Sequence, residues 1–143
     1  MQQIQDLSLD VSQSIELKAA IDDAYSALIR RLSVENSTPD NTPMPMVLEE
    51  WPGGRWFRDL GEQQGHLWGF VQVIKPPRLI EMTGPMFMSY AVAGHLQIRL
   101  NEIAGGTELS VRHQVLGFVE DKHRQGLTHG WNALLSGVKE LAE

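Results

Sequence analysis

The chain has 143 residues, 42% hydrophobic and 21% charged, the balance of a folded domain with a core and not of a disordered segment. Its net charge of −6 argues against nucleic acid or an anionic membrane as the main partner. It holds no cysteine, which excludes disulfides, thiolate nucleophiles and cysteine-ligated zinc.

No run approaches the ~20 apolar residues of a membrane span, and the N-terminus lacks the apolar stretch of a signal peptide. The expected address is therefore the cytoplasm, with no membrane insertion. Positions 7–17 alternate, Leu7, Leu9, Val11, Ile15 and Leu17 against Asp6, Ser8, Asp10, Ser12, Ser14 and Glu16, which predicts a strand with one wet face. The period then changes: Ala20, Ile21, Ala24, Tyr25, Leu28, Ile29 and Leu32 recur at helical spacing. Turn formers from Ser37 to Pro43 stop that helix.

From Pro45 to about Val119 the chain reads as strands separated by turns. Met46 to Trp51 is one, broken by Pro52-Gly53-Gly54; Arg55 to Leu60 and His66 to Ile74 follow, the second stopped by Pro76-Pro77. Leu79 to Thr83, Tyr90 to Ile103 and Thr107 to Leu116 complete the set, the last two joined by Ala104-Gly105-Gly106. Leu127, Trp131, Leu134, Leu135, Val138 and Leu141 then trace the apolar stripe of a long final helix. Short turns between consecutive strands make an antiparallel meander, and the last helix is the element available to cover it. The expectation is one α+β domain over residues 1–143.

Several motifs point further. Pro52-Gly53-Gly54-Arg55-Trp56, the strand Gly69 to Ile74 leading into Pro76-Pro77-Arg78-Leu79, Gly106-Thr107-Glu108-Leu109, and Gly130-Trp131 followed by Leu134 occur in one order. Together they resemble the activator of heat shock protein 90 ATPase homologue branch of the SRPBCC (START and birch-pollen-allergen-like) superfamily. The resemblance implies a helix-grip fold, a curved antiparallel sheet of about six or seven strands wrapped around a long C-terminal helix, with a ligand cavity between them. Gly130 costs a helix about 1 kcal/mol relative to alanine, and close approach of the sheet is the expected compensation.

Alternation suggests which side chains meet that cavity. Leu109, Val111, His113 and Val115 share one face of their strand; Leu96 and Ile98 lie inward on the strand before, with Val92, Gly94 and Leu100. For the strand from His66, either Trp68 and Phe70 or Leu67, Val71 and Val73 face inward. Met82, Met86, Phe87 and Tyr90, with Leu127, Trp131, Leu134 and Leu135 from the helix, complete the expected lining. Phe87 and Tyr90 are candidates for an entrance gate.

His113, polar on an apolar face, reads in two ways: a hydrogen-bond donor or general base aimed at a ligand, or a core histidine bonded to a neighbouring backbone or hydroxyl group. Five scattered histidines, with no His-x-x-x-His pair, offer no metal site. No nucleophile elbow, phosphate-binding loop or dinucleotide fingerprint is present, so no cofactor and no catalytic residue are assigned. The expected function is binding of a small hydrophobic molecule, a lipid, polyketide or aromatic compound. The alternatives are a polyketide cyclase or aromatase-like enzyme, using His113 with Glu50 or Tyr90, and an interaction protein like the chaperone ATPase activators. An exposed Met86 to Met88 segment would suit a homodimer.

Overall fold

The computed structural model describes residues 3–143. A 3-10 turn, Ile4–Leu7, leads into strand β1 (Ser8–Leu17) and helix α1 (Ile21–Leu32). Strands β2 (Val47–Leu48), β3 (Arg55–Gly61), β4 (Gln64–Lys75), β5 (Leu79–Thr83), β6 (Val92–Ile103) and β7 (Gly106–Gly117) follow, then helix α2 (Asp121–Ala142). The strands form a seven-stranded sheet in the order β1-β7-β6-β5-β4-β3-β2, with every pairing antiparallel. The sheet is curved and α2 lies along its inner face, which is the α+β helix-grip arrangement expected from the sequence.

The first strand closes on the last, with Ser8 opposite Leu116 and Leu17 opposite Thr107. Gly106 and Thr107 fasten that junction. A Cβ on Gly106 would overlap the Leu17 carbonyl oxygen, and Thr107 Oγ1 donates to the Ala19 carbonyl at 2.8 Å. The turn before β3 is held differently. Gly53 takes a positive φ of 86°, and the Glu49 carboxylate accepts from the Arg55 amide, Nε and Nη2 at 2.8 Å each. Those bonds from Arg55 hold the Glu49 carboxyl down at about 2.

The strand expected over Met46 to Trp51 shrinks to Val47–Leu48. Pro45 has no amide to give, the Met46 amide donates to the Ser33 carbonyl, and Glu49 to Gly54 curl into the turn. The β4 alternatives resolve into neither set. The register slips between Trp56 and Phe57 on the β3 side, leaving Trp68 between Leu67 and Gly69, and again between Val71 and Val73 on the β5 side. These bulges change the parity of the strand twice, so Trp68, Val71 and Ile74 share the inner side while Phe70, 43% exposed, sits outside.

Elsewhere the inward faces follow simple alternation. Leu96, Ile98 and Leu100 of β6, and Leu109, Val111, His113 and Val115 of β7, are buried, while Arg99 and Arg112 point to solvent. Leu135 and Val138 of α2 close over them, and α1 packs beside α2 through Ala24, Leu28 and Leu32. Met86 and Met88 are buried, so this segment does not present the methionine surface considered for a second copy. No helix is long and apolar enough to cross a membrane among the described residues.

Leu135→Ala should cost about 2–5 kcal/mol, the lost transfer energy plus the cavity left behind. Leu116→Ala, on the outer face, should stay within about 0.5 kcal/mol. Urea unfolding monitored by circular dichroism measures both, and comparable losses would contradict the assignment of inner and outer faces.

Candidate functional site

The two ends of α2 meet the fold differently. Toward its C-terminus, Leu135 and Val138 pack tightly on the sheet. Toward its N-terminus the helix turns Gly126, Gly130 and Ala133 toward open space, beside Leu127, Trp131 and Leu134. Opposite them stand Trp56 of β3, Trp68 of β4 and Phe87 of the β5–β6 connection. The α1–β2 loop, through Asn36 to Pro39 and Met44, closes one end together with Arg31 of α1. The cavity, a half-open cleft, measures about 370 Å³, within the range that small-molecule sites occupy.

Gly130 corrects the expected close approach of the sheet. No atom lies within 4 Å of where a Cβ would stand on Gly130, nor on Gly126. The glycines do not relieve crowding; they widen the cavity. Close approach occurs two turns later, at Gly137, where a Cβ would overlap the side chain of Arg31.

An aromatic series forms the opposite wall and rim. Trp56 meets Trp68 edge-on at 5.1 Å, Trp68 meets Phe87 at 5.9 Å, and Phe87 meets His123 at 5.3 Å. His123 stacks on Tyr90, whose hydroxyl lies 2.6 Å from His123 Nδ1 and accepts the Glu120 amide at 3.2 Å. The hydroxyl and Nδ1 share one hydrogen bond. Tyr90 therefore ties the start of α2 to the β5–β6 connection. Trp56 is fixed from behind by its indole N–H, which donates to the Leu32 carbonyl at 2.7 Å.

Of the side chains expected around a cavity, Trp68, Phe87, Leu127, Trp131 and Leu134 line this one. Met82, Leu96, Ile98, Leu109, Val111 and Leu135 fill the core beyond it, and Met86 is buried with them. Phe70 lies on the outer face, turned there by the bulge at Trp68. Tyr90 reaches the rim only through His123.

His113 is fully buried behind Trp131. Trp131 Nε1 donates to His113 Nδ1 at 3.1 Å, and because an indole N–H can only donate, the imidazole proton sits on Nε2. Nε2 finds no partner among the described residues. The ring is thus a neutral core histidine bonded to an indole, rather than to the backbone or hydroxyl partner expected. Glu50 is exposed and forms no ion pair among the described residues; its neighbour Glu49 pairs with Arg55. His113, Glu50 and Tyr90 do not converge on a common site.

Arg31 escaped the reading of the sequence. It is 95% removed from solvent, being only 5% exposed, yet it forms no ion pair among the described residues. Nη1 donates to Asn36 Oδ1 at 2.6 Å and Nη2 to the Ser37 carbonyl at 3.4 Å; Asn36 Nδ2 in turn donates to the Met44 carbonyl at 3.0 Å. Burial lowers the guanidinium's hold on its proton, and Glu140 opposes that effect from a distance. The signal was present in the sequence, because Ala24, Leu28 and Arg31 fall on one helical stripe.

A curved antiparallel sheet gripping a long C-terminal helix, with a cleft left between them, defines a helix-grip domain of the SRPBCC type. The chain belongs to the family described as activator of Hsp90 ATPase homolog 1-like protein, whose model matches residues 18–143. Comparison with curated proteins finds no match. Among solved structures, a protein from Chromobacterium violaceum aligns with a TM-score of 0.74 at 16% identity, over 94% of this chain and 96% of that one. A protein from Rhizobium leguminosarum gives 0.71 at 16% identity, over 94% of each chain. The di-domain ARO/CYC StfQ of the steffimycin biosynthetic pathway gives 0.70 at 16% identity, over 97% of this chain and 52% of that one. At these identities the likeness is one of fold.

The neutral His113 gives the protein a measurable pH dependence. Its pKa falls from 6.5 to about 4, first through burial and then through nearby His95. The unfolded chain therefore takes up a proton that the folded one refuses, and stability drops as pH falls from about 6.5 to about 4. The drop should approach about 3 kcal/mol, and His113→Gln, which keeps a neutral acceptor for Trp131, should remove it. Urea unfolding of both proteins across that window tests this; parallel pH profiles would contradict it.

Proposed function

We propose that this protein binds a small, largely apolar molecule in the cavity between α2 and the Trp56–Trp68–Phe87 wall. The observation that carries the reading is the pair Gly126 and Gly130. Each costs a helix about 1 kcal/mol relative to alanine, and neither is required by crowding, since a Cβ at either position would meet nothing within 4 Å. Helix stability is given up for room, and room beside rigid aromatic walls is what an apolar or aromatic guest needs.

The fold likeness to the ARO/CYC proteins StfQ and BexL is consistent with that reading. It also supports a second reading, an enzyme acting on the same guest. The observation favouring it is His123, which lines the cavity and is held in orientation by its Nδ1 contact with the Tyr90 hydroxyl, leaving Nε2 clear of that bond. Binding is the reading favoured here, since His123 and its partner Tyr90 stand at the rim, while His113 is sealed behind Trp131 and Glu50 is exposed.

The neutral fluorescent probe N-phenylnaphthylamine tests the binding reading. It should bind the purified protein saturably, with enhanced emission. Gly130→Ala should keep that binding and raise stability by roughly 0.5–1 kcal/mol. Gly130→Leu should remain folded yet weaken probe binding by about tenfold or more, since its side chain enters the cavity. Absence of saturable binding to the wild type, or full binding by Gly130→Leu, would overturn the proposal.

A further inference from the structure

The cavity is apolar almost throughout, and one charged side chain stands in its wall. Arg31 stands where α1, α2 and the α1–β2 loop meet, and its side chain helps to line the space. Its guanidinium carries five N–H donors, of which Asn36 Oδ1 and the Ser37 carbonyl take two. Both partners are neutral. A charge so far from water ordinarily requires an anion, and a bare cation in such a place is a standing cost. The nearest acidic influence is Glu140, which is exposed and makes no ion pair with it.

The protein has nonetheless built a seat for this group. Gly137 of α2 lies against the Arg31 side chain so closely that no Cβ would fit. Asn36, itself only 5% exposed, spends its carboxamide on Arg31 and on the Met44 carbonyl, locking the loop around the guanidinium. A residue serving only to tie the loop down would not need a permanent charge in an apolar wall.

We infer that the guest of this cavity is an amphiphilic monocarboxylate, its apolar or aromatic body lying between α2 and the Trp56–Trp68–Phe87 wall and its carboxylate paired with Arg31. The inference rests on the cavity being a binding site and adds the chemical class of ligand. One cation matches one negative charge, and the planar guanidinium fork matches a carboxylate. His123, at the rim with Tyr90 and Phe87, faces the far end of the guest rather than its acid.

The test compares naphthaleneacetate with naphthaleneacetamide, which share shape and differ in charge, using calorimetry at neutral pH. The acid should bind at least about tenfold tighter than the amide, the scale of one charge-assisted hydrogen bond shielded from water. Arg31→Gln, which keeps a hydrogen-bonding partner for Asn36, should erase that preference, so that acid and amide bind the variant with equal affinity. Arg31→Lys should retain the preference in weakened form, which separates loss of charge from loss of the loop. Equal affinities for acid and amide, or an undiminished preference in Arg31→Gln, would overturn the inference and leave the cavity reading standing. Failure of the acid to bind while N-phenylnaphthylamine binds would do the same. Failure of all three compounds would overturn both.

Discussion

The hydrogen bond from Trp131 to His113 fixes how α2 lies on the sheet, and much of the structure depends on that seating. It joins the middle of the helix to the centre of β7. It fixes an indole that belongs both to the cavity lining and to the core cluster. Beyond it Leu135 and Val138 complete a dry core; before it the helix stands away from the aromatic wall, and the cavity opens. Burial, with His95 nearby, keeps the His113 ring neutral, and the indole partner on Nδ1 places its proton on Nε2.

Most of the fold was legible because it follows from two periods. Alternation placed β1, β6 and β7 with their faces, and the 3.6-residue period placed α1 and the buried stripe of α2. What escaped was wherever a local event broke the period. The two bulges in β4 moved Trp68 inside and Phe70 outside, an outcome no fixed parity describes. The Met46 amide left the sheet for the Ser33 carbonyl, and a strand shortened to Val47–Leu48.

The site was less legible than the fold, for a different reason. Inward-facing residues were identified largely correctly as inward, but most of them fill the core. A cavity exists where two surfaces fail to meet, and that depends on the stand-off of a helix, not on the polarity of its residues. The clue lay beside the apolar stripe of α2: Gly126, Gly130, Ala133 and Gly137 run parallel to Leu127, Trp131, Leu134 and Val138, one position earlier. Three of these small residues line the cavity and the fourth receives Arg31.

The central claim is that this cavity, and no other surface, receives the guest, and the four tryptophans provide their own control. Trp56, Trp68 and Trp131 line the cavity, whereas Trp51 is exposed on the turn before β3. The most direct measurement is the indole N–H region of the nitrogen–proton correlation spectrum, recorded as naphthaleneacetate is added to the labelled protein. The account predicts shifts of the Trp56, Trp68 and Trp131 resonances along one saturation curve, with Trp51 unmoved. Movement of Trp51 alone, or four stationary resonances, would contradict it.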